Sequence, residues 1–470
     1  MLIEKTMFRE YDIRGRVNER ELNEISIELI GKAFGLMLKN KKIKDCVLGF
    51  DAKSYSENFA NIFEKSLNSL GINTINIRMA TTPMAYFAQY LFKVKGVAVI
   101  TASHNPNGWS GLKLGYDFSF TLLSNDVQEL YQIIEKLING KENLTEKEKG
   151  LSIKQNIEQA YYKELIKRVP LKNKLRIVVN GRNGIGGKIL SSVLKKANQE
   201  VIEQFCNIDF SYPNGDANPS LDDMMLETGK LVIKEKADLG FAIDADGDRL
   251  GLVDELGNNI YPDKFLVLLA RDSLKKFPRS SIVFDVKCTK ALVDDIIINN
   301  GNPVMWKTGH SYIKQKAQEI NAVLAGERSG HIFFFKDYYG FDDACFAALK
   351  LLNYIQSENQ FQNQKLSEII KTIPKYYTSQ VFQAECSDTE KYLVMEKITQ
   401  KFKKKYNVID INGARVEFED SWGLIRPSSN LPVMVMVFEA KTIEKLQEIQ
   451  ELFKKELANF PEISQKWVNG

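Results

Sequence analysis

Gly96-Val97-Ala98-Val99-Ile100 runs without a break into Thr101-Ala102-Ser103-His104-Asn105-Pro106. The first five residues read as a buried strand, and the chain then turns polar at once. Upstream, Cys46-Val47-Leu48-Gly49-Phe50 reads as another buried strand. Residues 57–70 read as a helix with Gly71 just past its end, residues 72–77 as a strand, and a further helix follows Thr81-Thr82-Pro83. Strands alternating with helices predict a parallel sheet. In such sheets ligands lie outside the carboxyl ends of the strands, which is where the Ser-His-Asn segment falls.

The same pattern restarts twice. Residues 139–152, rich in Lys, Glu and Gly, read as a helix end and linker and put a boundary near residue 148. A strand at 175–179 leads into Gly181-Arg182-Asn183-Gly184-Ile185-Gly186-Gly187, whose spacing does not fit GxGxxG and reads as a tight strand-to-helix turn. A strand at 239–243 leads into Asp244-Ala245-Asp246-Gly247-Asp248-Arg249, and a strand resumes at 250–253. From about 260, strands at 282–286 and 303–306 precede Val323-Leu324-Ala325, which runs into Gly326-Glu327-Arg328-Ser329-Gly330-His331. Past residue 372 the texture changes to alternating strands (414–418, 433–438) and an amphipathic helix from Thr442. The expected fold is therefore α/β, with domains at 1–148, 149–259 and 260–372 of similar build and a C-terminal α+β domain at 373–470. No sequence repeat is obvious among them.

Composition narrows the class. The 470 residues are 44% hydrophobic and 26% charged, an ordinary globular balance with room for several cores. Lys plus Arg (64) nearly match Asp plus Glu (60), and no one-sign tail exists, so neither a nucleic acid nor a membrane surface is an expected partner. The five cysteines form no CxxC pair, which argues against a disulfide framework or structural zinc and for a reducing compartment. Charges interrupt the first ten residues, unlike a signal peptide, and no uncharged apolar run approaches the roughly 20 residues that span a bilayer. The expectation is a cytoplasmic enzyme.

Asp244, Asp246 and Asp248 follow a strand at alternate positions. Three carboxylates so close repel one another, and a hard divalent cation with oxygen ligands, Mg²⁺ or Ca²⁺, offsets that cost. An EF-hand loop would put Gly where Arg249 stands and helices where the flanks read as strands, so catalytic Mg²⁺ is the reading that fits. The three histidines, His104, His310 and His331, all read as residues of Gly-, Ser- or Asn-rich loops after strands, with no zinc spacing linking them. Ser103 is no Gly-x-Ser-x-Gly elbow, and beside a Mg²⁺ site a serine points to phosphoryl chemistry. No Walker motif is present. Arg426-Pro427-Ser428-Ser429-Asn430-Leu431-Pro432 has the composition of a phosphate cradle.

Over essentially its full length the chain resembles the α-D-phosphohexomutases, and within them the bacterial phosphomannomutase/phosphoglucomutase branch. Four motifs stand in family order: the phosphoserine loop at 101–106, the metal loop at 244–249, the sugar loop at 326–331 and the phosphate loop at 426–432. Tyr11-Asp12-Ile13-Arg14-Gly15, Asp285-Val286-Lys287-Cys288-Thr289 and Trp306-Lys307-Thr308-Gly309-His310-Ser311 support them. The resemblance implies four domains around a central cleft, the fourth moving as a lid. It implies a phosphorylated Ser103 sharing one Mg²⁺ with Asp244, Asp246 and Asp248. It implies that a hexose 1-phosphate becomes a 1,6-bisphosphate, turns round, and leaves as the 6-phosphate, with glucose or mannose 1,6-bisphosphate as activator. Glu327 and Ser329 would hold the sugar O3 and O4. Arg426, Ser428, Ser429 and Asn430 would grip the idle phosphate, Lys113 would be the acid/base group, and Tyr11, Arg14, His104, Arg249, Lys287, His310 and His331 would line the site. The partners would be sugar phosphates alone, and the enzyme a monomer. Departures from the family pattern are Lys53 for Arg, Trp109-Ser110 for Tyr-Asn, Ser429-Asn430 for Asn-Thr or Gly-Thr, and Arg328 for Met, Gln or Glu. The Gly330-His331 pair favours mannose and glucose phosphates. The alternatives are a phosphoglucosamine mutase, a non-catalytic sugar-phosphate-binding paralogue and a sugar-bisphosphate phosphatase.

Overall fold

The computed structural model describes residues 3–141, 149–357, 364–428 and 431–469. The boundary expected near residue 148 lies outside the described residues. The chain divides into two compact units, one of residues 1–265 and 329–369, the other of residues 266–328 and 370–470.

Among the described residues, three of the four sheets are built on one plan. Strand Asp45–Phe50 lies between the parallel strands Asn73–Met79 and Gly96–Ile100. Strand Arg176–Asn180 lies between the parallel strands Glu200–Gln204 and Leu239–Ile243. Strand Ser281–Asp285 lies between the parallel strands Asn302–Trp306 and Leu324–Gly326. In each sheet the first strand is central, the second pairs on one side and the third on the other. Each third strand then delivers one motif loop: the Ser103 loop, the aspartate loop and the Glu327 loop. Helices are set by local chemistry: Thr81 caps Thr82–Phe92 by accepting from Met84 N, and Pro83 sits in the first turn, where its absent N–H costs nothing.

The first two sheets lie in the first unit and are mixed, not purely parallel. Trp109–Gly115 pairs antiparallel with Gly96–Ile100 and with Ile13–Arg16, and Leu250–Asp254 pairs antiparallel with Leu239–Ile243. The stretch read as a linker to residue 152 ends in a strand: Ser152–Lys154 adds parallel to Asn73–Met79.

The C-terminal sheet of the second unit is antiparallel, with Ala414–Glu417, Ser421–Pro427 and Val433–Ala440 side by side and helix Ile443–Leu457 against it. Phe402, Val416, Ile425, Met436, Phe438 and Phe453 fill its core. No helix among the described residues is long and apolar enough to cross a membrane.

Candidate active site

Ser103 sits at φ +52°, a conformation an L-residue other than glycine rarely takes, so the surroundings must hold it. They do so from both sides. Its N–H donates to Thr101 Oγ1 at 2.8 Å, and Ala102 N–H donates to Asp51 Oδ2 at 3.0 Å. Asp51 is itself fixed by Ser56 Oγ, and Lys53 donates from its ammonium to Asn105 O while lying 3.8 Å from the centre of the Tyr212 ring. Arg14 donates to Thr101 O and to Asp12. Ser103 Oγ ends 3.3 Å from Asp244 Oδ2 and 3.2 Å from His104 Nδ1. Burial, then the charges of Arg249 and Arg14, push His104 well below the usual imidazole range, so it is neutral at pH 7.

The aspartate loop turns at Gly247, whose φ of +78° and whose approach to Thr81 leave no room for a Cβ. Beneath it Gly186 passes so close that an added Cβ would stand 2.2 Å from Asp244 O, which gives the glycine turn at 181–187 its purpose. Asp244 Oδ1 accepts from the backbone N–H of Asp248 and Arg249. Asp246 Oδ2 accepts from Thr82 Oγ1 at 2.7 Å, Thr101 Oγ1 at 3.2 Å and Lys113 Nζ at 2.8 Å, and Lys113 also donates to Asp248 Oδ2. The three carboxylates are fully buried and offer one oxygen each within 4.8 Å of one another. Asp246 Oδ1 and Asp248 Oδ1 are buried with no hydrogen-bond partner among the described residues. Burial and the charges of Asp248 and Asp246 push Asp244 well above the usual carboxylate range. Burial works against Asp246 too, but the Lys113 ammonium overcomes it and drives Asp246 below that range. A donor set of hard oxygens, two of them without a hydrogen bond and one of these 3.6 Å from His331 Nδ1, fits a divalent cation such as Mg²⁺.

Lys113 is a held cation: burial would strip its proton, and Asp246 and Asp248 more than reverse that, raising it above the ordinary lysine range. His331 lies opposite. Arg249 Nε donates to its Nε2 at 3.0 Å, and its Nδ1 lies 2.9 Å from Asp342 Oδ2. The first unit thus brings together Ser103, His104, Arg14, Lys113, the three aspartates, Arg249 and His331. Tyr11 lies half-buried in the bend before Ile13–Arg16, and Ser329 is half-buried in its loop.

In the second unit the hub is Asp285, fully buried at the end of its strand. It accepts from Arg328 N at 3.0 Å, Thr308 Oγ1 at 2.8 Å and Cys288 Sγ, with Lys287 Nζ 3.5 Å away. Burial would raise this carboxyl, but the Lys287 charge and these bonds hold it below the usual range. Glu327 Oε1 accepts from Gly309 N at 2.7 Å, so the sugar loop and the loop before His310 are tied together. His310 is not a loop residue as the sequence suggested; it opens helix His310–Glu319. Likewise Arg426 and Pro427 belong to strand Ser421–Pro427, opposite Val435 and Met434, and only from Ser428 does the chain leave the sheet. Lys391 donates to Ser428 O at 2.6 Å and Leu431 O at 3.0 Å, gripping that loop at both ends. Ser429 and Asn430 lie outside the described residues.

The sequence reading missed Asp51, Thr82, Asp342 and Lys391. Asp285 stood in a quoted motif but was given no role. No local signal marks Asp51, Thr82 or Lys391, since each acts on a loop distant in the chain, and Asp342 meets His331 only because the chain doubles back between them.

Models of the phosphoglucomutase/phosphomannomutase family match this chain in four consecutive parts. Alpha/beta/alpha domain I matches at residues 5–141, domain II at 159–257, domain III at 261–377 and the C-terminal domain at 382–456. A phosphomannomutase/phosphoglucomutase of Pseudomonas syringae pv. tomato is 34% identical, with 97% of this chain and 96% of the relative covered. A phosphoglucomutase of Neisseria gonorrhoeae is also 34% identical, with 98% of each covered. The crystal structure of a phosphoglucomutase/phosphomannomutase family protein from Burkholderia thailandensis superposes with a TM-score of 0.89 at 30% identity, covering 97% of this chain and 98% of that one. The chain belongs to the phosphoglucomutase/phosphomannomutase family of α-D-phosphohexomutases. It is an isomerase, a mutase of hexose phosphates.

Proposed function

We propose that this enzyme interconverts the 1- and 6-phosphates of mannose and glucose through a phosphorylated Ser103 and a hexose 1,6-bisphosphate. The carrying observation is the placement of Ser103 Oγ 3.3 Å from Asp244 Oδ2, one of a buried cluster of three carboxylates in which Asp246 Oδ1 and Asp248 Oδ1 accept no hydrogen bond among the described residues. Asp244, Asp246 and Asp248 would hold Mg²⁺ together with the phosphate on Ser103, and the bound ion supplies neutralisation of charge on the phosphoryl oxygens.

In the first half-reaction the Ser103 Oγ–P bond breaks, a P–O6 bond forms on the hexose 1-phosphate, and the O6 proton leaves to a base of the site. The second half-reaction runs this in reverse at O1. Phosphoryl transfer asks the protein for position and charge more than for covalent chemistry. Lys113, placed beside Asp246 and Asp248, is the acid/base group of this reading: the proton that leaves O6 in the first half-reaction is the one returned to O1 in the second. Arg14 holds the serine loop by its Thr101 carbonyl. Glu327 and Ser329 take the sugar hydroxyls O3 and O4, which exchange places when the intermediate turns. Arg426, Ser428, Ser429 and Asn430 take the phosphate that is not reacting, and Lys287 lines the site as a substrate contact. Tyr11, His104, Arg249, His310 and His331 line the site. A trace of glucose or mannose 1,6-bisphosphate loads Ser103. The same reading has the enzyme act in the cytoplasm as a monomer, with sugar phosphates as its only partners.

The test is kcat/KM for mannose 1-phosphate, glucose 1-phosphate and glucosamine 1-phosphate, side by side, with Mg²⁺ and a trace of glucose 1,6-bisphosphate. Comparable values for the first two and little for the third are expected. Dominance of glucosamine 1-phosphate would move the enzyme to amino-sugar synthesis and overturn the substrate assignment.

A further inference from the structure

Arg415 is among the most buried side chains of the protein, 1% exposed, on strand Ala414–Glu417 of the C-terminal sheet. Its guanidinium carbon lies 3.6 Å from the centre of the Trp422 ring, and Nε donates to Glu417 Oε1. Its outer nitrogen leaves that sheet altogether. It donates to Val286 O at 2.6 Å and to Cys288 O at 3.0 Å, the two carbonyls that bracket Lys287. The support behind Arg415 is also fixed: Trp422 Nε1 donates to Glu439 Oε1, which accepts in addition from Lys290 N at the start of helix Lys290–Ile298. Val286 itself packs on Trp422, Leu424 and Val437.

Burying a guanidinium is costly, and an apolar side chain of similar volume would serve as well if docking were the only need. What arginine adds is direction: a planar donor that can span two carbonyls on alternate residues. The loop there has left its strand at Asp285, and Arg415 supplies a donor to both of those carbonyls. Asp285 holds the loop from its own domain, through Cys288 Sγ and Lys287 Nζ. Arg415 holds the same loop from the C-terminal domain, through Val286 O and Cys288 O.

We propose that Arg415 is a positioning residue for Lys287: it fixes the two peptide carbonyls on either side of that lysine, and so the place from which the ammonium meets the sugar phosphate, without touching substrate. The proposal rests on the reading of Lys287 as a substrate contact. The test is a double-mutant cycle in the full-length enzyme with Arg415→Met, Lys287→Ala and the double variant, read as KM and kcat for glucose 1-phosphate with Mg²⁺. Arg415→Met is expected to lower kcat/KM by at least about tenfold, mainly through KM, since two hydrogen bonds that orient the loop are lost. Placed on Lys287→Ala, the same change is expected to cost less than about twofold, because the lysine it acts through is gone. Arg415→Lys, which keeps charge and one donor, is expected to recover most of the loss, and the cycle can be run with it if Arg415→Met does not fold. Losses that multiply in the double variant overturn the positioning role, as does an Arg415→Met enzyme with unaltered KM. If Lys287→Ala by itself leaves kcat/KM unchanged, the substrate role of Lys287 fails and the proposal with it, a pattern distinct from multiplying losses.

Discussion

Replacing Lys113 by methionine keeps an unbranched side chain, one atom shorter, and removes its charge. The ammonium is 2% exposed and donates to Asp246 at 2.8 Å and to Asp248, both fully buried. A hydrogen bond to a charged group contributes about 1.5–3 kcal/mol, and stripping one partner from a buried ion pair costs about 3–5 kcal/mol. The variant is thus expected to lose about 4 kcal/mol of stability in EDTA. It should also respond more strongly to metal, because Oδ2 of both aspartates is released and a positive charge beside the cluster is gone; an apparent Kd for Mg²⁺ tighter by about tenfold or more follows. A cation at a hundred times its Kd returns about 2.7 kcal/mol, so Mg²⁺ should restore much of the deficit. The assay is urea unfolding of both enzymes, in EDTA and across a Mg²⁺ titration. Equal stabilities in EDTA, or the same Mg²⁺-induced gain in both, would refute the idea that Lys113 and the metal compete for one carboxylate cluster. Turnover should fall by about 10²–10⁴ if the lysine is also the acid.

Glu327→Ala should weaken binding of hexose 1-phosphate and hexose 6-phosphate alike, each by at least about tenfold. The equilibrium constant ties kcat/KM in the two directions together, so the informative measurement is calorimetric Kd in a Ser103→Ala background; one ligand unaffected would sink the shared-contact reading. Lys391→Met should raise KM for hexose 1-phosphate by about tenfold with kcat little changed, through loss of the grip on the Ser428 and Leu431 carbonyls; an unaltered KM counts against it. Burial raises the Asp343 carboxyl to about 6, against bonds from Phe346 N, Tyr161 and Tyr338. The folded state therefore holds this proton more tightly than the unfolded chain. Its contribution is fully present below about pH 4 and is lost as the pH rises through about 6, roughly 3 kcal/mol in all. Asp343→Asn stays neutral, so its stability relative to wild type should improve by that amount between pH 4 and 7 in denaturant titrations, and a constant gap would contradict the shifted carboxyl.

What the sequence disclosed and what it hid follow from how far each signal reaches along the chain. Apolar runs ended by glycine or a polar cluster gave nearly every central strand, because a strand buried on both faces must be apolar throughout. Strand Ser152–Lys154 escaped because all three residues are exposed, and only backbone pairing to Asn73–Met79 makes it a strand. Helix His310–Glu319 escaped because its cap is Gly309 at φ +130°, with no side-chain cap to announce it. Pro427 disguised the end of strand Ser421–Pro427, since proline ordinarily argues against a strand interior. In the site, the aspartates were legible because their spacing is itself the electrostatic problem. Lys113 was not, for it sits in an ordinary strand and meets Asp246 across 133 positions; only the resemblance supplied it.

The repeat that the sequence concealed explains why the site residues lie where they do. In two of the three parallel units, an aspartate at the carboxyl end of the central strand bonds a backbone N–H in the loop that follows the third strand: Asp51 to Ala102, and Asp285 to Arg328. The residues at 51 and 285 need share nothing with their neighbours except this task, so no alignment of the segments exposes it. In the middle unit the corresponding turn carries no such aspartate, and Gly186 lets the backbone pass directly beneath Asp244 instead. The difference has an electrostatic reason. A fourth carboxylate under a loop that already carries three would add to the repulsion that disfavours the charged form of Asp244, whereas a glycine supports the loop by contact and adds no charge. The same plan therefore takes an acid where the loop presents a serine or a glutamate with cations near, and takes none where the loop is the cation site.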